Sequence, residues 1–262
     1  MTAWDEIREL HRTTTLGAKE GLAFRYFSRP LASFLLYFLK DGRITPNQIT
    51  ILSLIVGVAG SIVHVSVLTW GGLLLGGALF MIAHMLDALD GQLARLRKAG
   101  SVIGMYFDFF IDELKAYFVF VAIALRLWRQ VLAGEEFALL DPLLGRMGAD
   151  GLLVYALFGI VGLAIGISCT QFVKRDEWKE AFPAAPAADS PSPLARLIGL
   201  VERIGRFVVD YPSYIILLCL VNMVEIYFLV YALVVCVYAI RALAQISLKL
   251  WRVNPYEKAE DS

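Results

Sequence analysis

The chain has 262 residues, of which 58% are hydrophobic, and its mean hydropathy is +0.66. This apolar content is far above that of an ordinary soluble domain. Several apolar stretches approach the roughly 20 residues that a helix needs to cross a bilayer. The formal net charge is zero, so no overall positive field would attract nucleic acid. We therefore expect an all-α integral membrane protein with six transmembrane helices.

The N-terminal part of the chain divides into two segments of different character. Residues 1–22 are polar and charged, and we interpret them as a lead that stands apart from the membrane domain. Residues 23–43 mix aromatic and aliphatic residues with basic ones, which indicates an amphipathic helix on the membrane surface. A short additional span is the alternative, but Arg29 and Pro30 interrupt its apolar run.

The membrane domain is predicted over residues 44–250. Pro46 suits the first turn of its first helix. Gly72, Gly76 and Gly77 have the spacing of small residues that favours close helix contact, either within one chain or in a homodimer. The six spans are expected at about 47–69, 73–96, 102–127, 151–173, 211–223 and 226–248.

The hydrophilic segments between the spans predict the orientation of the chain. The largest lies at about residues 174–205 and contains "FPAAPAADSPSP", whose four prolines exclude a continuous helix there. Lysine and arginine are concentrated before the first span, after the second and fourth, and in the tail 251–262, whereas the turns after the first and fifth spans have none. Because basic residues mark the cytoplasmic side, we expect both termini in the cytoplasm.

The stretch "MLDALDGQLARLRKAGSVIGMYFDFFIDELK", residues 85–115, places four aspartates at helical spacing between apolar segments. They are Asp87, Asp90, Asp108 and Asp112. Each carboxylate at membrane depth costs about 2.5–3.5 kcal/mol, and like charges this close repel. This face also carries small residues, which would let a flat ligand approach the helix backbone.

Divalent cations would neutralise these acids, since one nearby arginine and one nearby lysine do not balance four aspartates and Glu113. Mg²⁺ and Mn²⁺ prefer such oxygen ligands, and two ions bridged by carboxylates are used in phosphoryl chemistry. Arg95 on the same face is suited to bidentate phosphate binding. The alternative is that the acids pair with lysine and arginine in networks at the helix ends.

The residues of this stretch also match a known pattern. "DALDGQLAR" followed after eight residues by "GMYFDFFID", residues 87–112, resembles the signature of the CDP-alcohol phosphotransferases at all eight fixed positions. "ITPNQIT", residues 44–50, is similar to the family's entry into its first span. The resemblance extends over roughly residues 23–250. Members of this family transfer a phosphoalcohol from a CDP-alcohol to a second alcohol and release CMP.

The resemblance implies a role for each matching residue. Asp87, Asp90 and Asp108 would hold one divalent ion, and Asp87, Asp108 and Asp112 would hold a second. Asp112 is also the expected general base. The CDP site is expected to be lined by small and polar residues, namely Gly91, Ala94, Arg95, Ser101 and Gly104, with Pro46 and Asn47 from the first span.

The substrates are less well defined by the sequence. We favour CDP-diacylglycerol as donor and a small polar acceptor such as inositol phosphate or glycerol phosphate. An anionic acceptor would be bound by basic residues, for which the candidates are Lys115, Lys174, Arg203 and Arg206. Lys115 would equally offset Glu113, and the other three also fit ordinary cytoplasmic charge.

Two other interpretations of the function remain open. Within the family, the donor would instead carry choline or ethanolamine, and the acceptor would be a lipid alcohol. In a different class, intramembrane acids would serve a divalent cation transporter. The sequence shows no internal repeat of the kind found in transporters, and its charge pattern puts the acids near the cytoplasmic face.

Overall fold

The computed structural model describes residues 2–15, 24–135, 137, 141–183, 193–209 and 215–251, and these are helices and their connections without a strand. A single π-helical turn, Phe24–Ser28, precedes the second α-helix. In chain order the helices are α1 Ala3–Thr14, α2 Arg29–Leu39, α3 Pro46–Ser66, α4 Trp70–Leu96, α5 Val102–Leu132, α6 Asp141–Val173, α7 Asp176–Ala181, α8 Pro193–Val209, α9 Ile215–Leu220 and α10 Val224–Trp251.

Four helical segments in the described part of the chain are long and apolar enough to cross a membrane. They are Pro46–Ser66, Trp70–Leu96, Arg146–Val173 and Val224–Trp251. The all-helical membrane class is therefore confirmed. Helix α5 has 31 residues and begins where the third span is predicted, but it carries more charge than these four. Of the predicted fifth span, residues 211–214 lie outside the described residues, and α9 covers part of the remainder.

The chain divides into two compact units, Met1–Leu153 with Asp210–Phe228, and Val154–Val209 with Leu229–Ser262. In the first unit, α3 packs along both α4 and α5. Thr45 caps α3 through a reciprocal hydrogen-bond pair with Gln48, and Pro46 occupies the first turn as predicted. Because only three residues connect α3 to α4, the two helices run antiparallel.

Glycines of α4 allow close packing on both of its sides within the first unit. A Cβ atom built on Gly76 would lie 2.4 Å from His64 Cδ2 of α3, and one on Gly77 would lie 2.9 Å from Cys219 Sγ of α9. Neither contact tolerates a side chain at the glycine, since real Cβ atoms do not approach so closely. These two glycines therefore serve packing within this chain.

Helices α1 and α2 cover the end of α4 that carries the aspartate motif. Leu10 of α1 joins α2 and α4 residues in one buried cluster, and His11 Nδ1 lies 3.0 Å from Ser33 Oγ of α2. Lys40 pairs with Glu6, and this contact raises the pKa of Lys40. The sequence did not lead us to expect α1. The opposite face of α2 is apolar and exposed, with Leu31, Phe34 and Phe38.

The second unit contains the larger part of α6 and of α10. Tyr155 Oη donates to the Leu229 carbonyl at 2.6 Å, and the hydroxyls of Thr170 and Tyr238 lie 3.0 Å apart. Upstream of this unit, Gly148 has a φ of 64°, which interrupts α6 three residues before the predicted start of the fourth span. Glycine adopts this left-handed conformation without the steric cost that other residues incur.

Candidate active site

Three carboxylates meet where α4 and α5 face each other. Asp87 and Asp90 belong to α4 and Asp108 to α5, and one carboxylate oxygen of each lies within 4.8 Å of the other two. Asp87 is 9% exposed and Asp90 5%. Within the described part of the chain, the buried Oδ1 of Asp108 has no hydrogen-bond partner. A compact group of buried and partly buried carboxylates fits the oxygen preference of Mg²⁺ and Mn²⁺.

Thr50 of α3 orients one of these carboxylates. Its Oγ1 donates to Asp90 Oδ2 at 2.5 Å, and both side chains are buried. Thr50 is the last residue of "ITPNQIT" and lies one helical turn after Pro46, so it faces α4 near the start of α3. We did not single it out from the sequence, although its place in that pattern was a usable signal.

Lys115 connects the three-carboxylate group to the fourth aspartate. Its ammonium lies 2.5 Å from Asp87 Oδ1 and 2.7 Å from Asp112 Oδ1, and it donates to Ser53 Oγ at 3.1 Å. Lys115 is 6% exposed, whereas the Asp112 side chain is 47% exposed. Asp112 is thus positioned through Lys115 at the open edge of the site. The sequence suggested an acceptor or Glu113 as the partner of Lys115, not two of the motif aspartates.

Two arginines lie beside Gly91 on α4. A Cβ atom built on Gly91 would be 3.4 Å from Arg95 Nη2 and 3.7 Å from Arg29 Nη1. Arg95 Nε donates to the Thr14 carbonyl of α1 at 2.5 Å. Ala94, the other small residue of this motif, is partly buried on the same helix. The motif itself contributes one arginine, Arg95, to this site. Helix α2 adds a second, Arg29, which lies outside the motif.

The start of α5 lies beside the start of α3. Ser101 caps α5 by accepting a hydrogen bond from Gly104 N at 3.0 Å. A Cβ atom on Gly104 would lie 3.7 Å from Asn47 Oδ1, so the structure brings these two predicted donor-site residues together. Pro46 precedes Asn47 as the first residue of α3.

The remaining basic candidates belong to the second unit. Lys174 follows α6 and Arg203 lies on α8, and both are exposed. The side chain of Arg206 lies outside the described residues. The four motif aspartates, by contrast, all belong to the first unit.

Comparison with known proteins places the motif in a family. Residues 43–188 match the CDP-alcohol phosphatidyltransferase family, which is more than half of the chain. The chain belongs to the CDP-alcohol phosphatidyltransferase family. The match includes the whole aspartate motif, whereas α1, α2 and Arg29 lie before it. The family resemblance read from the motif is thereby confirmed.

Three bacterial and archaeal relatives of this family member are named bifunctional IPC transferase and DIPP synthase. The protein of Thermococcus kodakarensis is 30% identical over 106 residues, 40% of this chain and 23% of the relative. That of Aquifex aeolicus is 30% identical over 118 residues, 45% of this chain and 26% of the relative. That of Rubrobacter xylanophilus is 37% identical over 75 residues, 29% of this chain and 16% of the relative. The aligned segments thus span about a quarter or less of these relatives.

Proposed function

We propose that this chain is a metal-dependent CDP-alcohol phosphotransferase of phospholipid biosynthesis. In this proposal it transfers a phosphoalcohol from CDP-diacylglycerol to the hydroxyl of a small polar acceptor, such as inositol phosphate or glycerol phosphate, and releases CMP. The observation that carries the proposal is the three-carboxylate group, Asp87, Asp90 and Asp108, with Arg95 one turn away beside Gly91. Family membership and relatives named as transferases support the reaction class.

Asp87, Asp90 and Asp108 would hold one Mg²⁺ or Mn²⁺ ion. Such an ion offsets the charge of a diphosphate and stabilises charge on the departing phosphate. The proposal includes a second ion at Asp87, Asp108 and Asp112. This second ion would compete with the Lys115 ammonium for Asp87 and Asp112, because Lys115 lies within 2.7 Å of both.

Asp112 is our proposed general base. Its side chain is half-exposed at the edge of the site, where an acceptor hydroxyl can approach. Asp112 would accept the hydroxyl proton as the acceptor oxygen forms a bond to the phosphorus that carries the alcohol. The bond from that phosphorus to the bridging oxygen of the diphosphate breaks, and CMP leaves with the bridging oxygen. We propose direct displacement, since the motif contains no serine, cysteine or histidine nucleophile.

The donor would be bound by small and polar residues around the carboxylates. Gly91 and Gly104 carry no side chain, so polar groups of Arg95 and Asn47 lie close to the backbones of α4 and α5. Arg95 supplies a planar donor group for phosphate. Asn47 lies beside Gly104, which supports its assignment to the nucleotide. The full proposed donor set is Pro46, Asn47, Gly91, Ala94, Arg95, Ser101 and Gly104.

The proposed arrangement in the membrane has six spans, with both termini and the active site on the cytoplasmic side. Helix α5 would be the third span, and residues 211–223 would contribute to the fifth. The distribution of lysine and arginine supports this orientation. An anionic acceptor would be bound by basic residues on that side, for which Lys174, Arg203 and Arg206 are our candidates. A homodimer is compatible with this arrangement.

The purified protein with CDP-diacylglycerol, Mg²⁺ or Mn²⁺ and a panel of acceptors tests the proposal. We expect CMP release that requires both metal and acceptor, with the lipid product identified by mass spectrometry. Asp112→Asn should abolish release, whereas the matched control Glu113→Gln should retain it. CMP formed only from CDP-choline or CDP-ethanolamine with diacylglycerol would reverse the assignment of donor and acceptor. Mn²⁺ flux into liposomes without CMP from any CDP-alcohol would favour a transporter.

A further inference from the structure

Arg29 is buried against the helix that carries the aspartate motif, although it precedes the family-matched segment. It is 7% exposed, and its Nη1 donates to the Ala88 carbonyl of α4. The backbone around it is fixed as well, since Ser33 Oγ donates to the Arg29 carbonyl at 2.7 Å and Gln92 Nε2 donates to Ser33 Oγ at 2.9 Å. The guanidinium is therefore held in one place on α4, one turn before Gln92.

The same contacts bring Arg29 together with Arg95 at Gly91. A Cβ atom on Gly91 would lie 3.4 and 3.5 Å from the two Nη atoms of Arg95, and 3.7 Å from Nη1 of Arg29. The Thr14 carbonyl accepts from Arg95 Nε, which turns the Nη end of that side chain toward Gly91. Gly91 directly follows Asp90, so both guanidinium groups lie beside the three-carboxylate group.

Two guanidinium groups this close repel each other, and a bound anion between them removes that cost. Each presents a planar fork of donors that matches phosphate oxygens. Because Gly91 has no side chain, both guanidinium groups lie close to the α4 backbone and to each other, directly beside Asp90, a proposed metal ligand. A phosphate bound by both guanidinium groups would lie beside the proposed metal-binding carboxylates.

We propose that Arg29 is a further donor-binding residue, which with Arg95 forms an arginine clamp over Gly91 for a phosphate of the nucleotide diphosphate. The proposal rests on the function proposed above, and it extends the donor site beyond the family-matched residues 43–188 to α2. Helix α1 would also contribute to donor binding, because the Thr14 carbonyl orients Arg95.

A purely structural role for Arg29, as a tie between α2 and α4, would give a different result. Arg97 provides the matched control, because it ties the connection between α2 and α3 to α4 by the same chemistry. Its guanidinium donates at 2.9 Å to the Leu39 carbonyl, 2.7 Å to that of Gly42 and 2.5 Å to that of Ile44. The three atoms nearest to a Cβ on Gly91 belong to Arg95 and Arg29, not to Arg97.

The test compares wild type, Arg29→Gln, Arg29→Lys and Arg97→Gln, each purified in detergent with Mg²⁺. Calorimetry with CDP gives the dissociation constant, and a CMP-release assay gives KM for CDP-diacylglycerol and for the acceptor separately. We expect Arg29→Gln to weaken CDP binding about tenfold or more, the size of lost hydrogen bonds to a charged group. Donor KM should rise in parallel while acceptor KM stays constant.

Arg29→Lys keeps the charge without the planar fork, so it should fall between wild type and Arg29→Gln. Arg97→Gln should lower the melting temperature and leave the CDP dissociation constant unchanged. If Arg29→Gln binds CDP as tightly as wild type, the clamp is wrong while the proposed function stands. Should Arg29→Gln not fold, the same conclusion follows from Arg29→Lys. If wild type itself binds no CDP with Mg²⁺, the proposed function and the clamp both fail.

Discussion

The ammonium of Lys115 lies 2.5 Å from Oδ1 of Asp87, and their side chains are only 7% and 9% exposed. The same ammonium also pairs with Asp112 and is held by Ser53. A buried charge without a partner is far more costly than the pair itself is favourable. Lys115 is therefore the internal counter-charge that allows two motif aspartates to remain close together inside the helix bundle.

Replacing Lys115 with methionine should destabilise the protein and increase its dependence on divalent metal. Loss of one partner of a buried pair costs about 3 kcal/mol or more. We expect the melting temperature without metal to fall, and added Mn²⁺ to raise it by more than in wild type, because a cation would replace the lost charge. Thermal unfolding in detergent with and without Mn²⁺ measures both effects.

Lys179→Met is the control for Lys115→Met. Lys179 pairs with Asp176 at the same 2.7 Å distance and i,i+3 spacing as Lys115 with Asp112. Here, however, the side chains of both Lys179 and Asp176 are exposed. Exposed pairs contribute about 1 kcal/mol at most, so this variant should melt close to wild type. If Lys115→Met and Lys179→Met melt at the same temperature, and Mn²⁺ raises both melting temperatures equally, Lys115 is not the counter-charge of the motif aspartates.

Replacing Thr50 with valine should weaken metal binding. The Thr50 hydroxyl donates to Asp90 Oδ2 at 2.5 Å, and loss of a residue that orients a ligand carboxylate typically reduces metal affinity about 10–100-fold. Titration of Mn²⁺ followed by electron paramagnetic resonance measures this affinity without relying on turnover. Thr50→Ser keeps the hydroxyl and should remain near wild type.

Ser61→Ala is the matched control for Thr50→Val, on the same helix. The Ser61 hydroxyl is also buried, but it donates to the Gly57 carbonyl within α3. Its loss should leave Mn²⁺ affinity unchanged. A Thr50→Val protein that binds Mn²⁺ as tightly as wild type would remove Thr50 from the metal site.

The parts of this site that could be predicted from sequence are those encoded within one or two helical turns. The spacing of Asp87 and Asp90, the same-face glycine at 91 and the helix start at Pro46 all depend on local geometry. Arg29 could not be placed in the same way. It contacts Ala88, which lies 59 residues away, and hydropathy does not reveal which polar side chain a neighbouring helix will cover.

Helix α1 illustrates the same limit from the other direction. Its composition is polar, yet Leu10 is buried in a cluster with α2 and α4 residues, and Thr14 is buried as well. A count of charged residues predicted a lead outside the domain, because most of the helix surface is indeed charged. The buried face of α1 is too narrow to change the average polarity of the helix. Only the tertiary contacts identify it.

Replacing Gly91 with alanine should impair donor binding while the protein still folds. A methyl group there would lie 3.4 Å or more from the nearest side-chain atoms, an ordinary contact distance, so the helix packing should be preserved. The methyl group would, however, occupy the space between Arg95 and the α4 backbone. We expect an unchanged melting temperature and a higher KM for CDP-diacylglycerol in the CMP-release assay.

Gly77→Ala gives the opposite pattern and so serves as the contrasting variant. Its Cβ atom would lie 2.9 Å from Cys219 Sγ, too close for an unchanged packing of α4 against α9. We expect a lower melting temperature and an unchanged donor KM for the folded fraction. A Gly91→Ala protein with normal donor KM would mean that the phosphate does not approach α4 at this glycine.

Replacing Arg126 with methionine should reduce stability without affecting the chemistry of the site. Arg126 is 1% exposed, and its guanidinium donates to carbonyls at the end of α3 and before α4, including Val67 at 2.7 Å and Thr69 at 3.0 Å. The Val67 carbonyl would lose this charged donor, whereas the Thr69 carbonyl still accepts from Leu73 N at 3.0 Å. Loss of a hydrogen bond from a charged group costs about 1.5–3 kcal/mol. Both carbonyls lie at the opposite end of the α3–α4 pair from Asp90.

We therefore expect Arg126→Met to lower the melting temperature strongly, while CMP release per folded molecule stays at the wild-type level. Arg129→Met is the control, because Arg129 donates to the Val65 carbonyl from an exposed position and water can replace it. Size-exclusion chromatography gives the folded fraction to which activity is normalised. Loss of activity in Arg126→Met at unchanged stability would instead connect this end of the helices to catalysis.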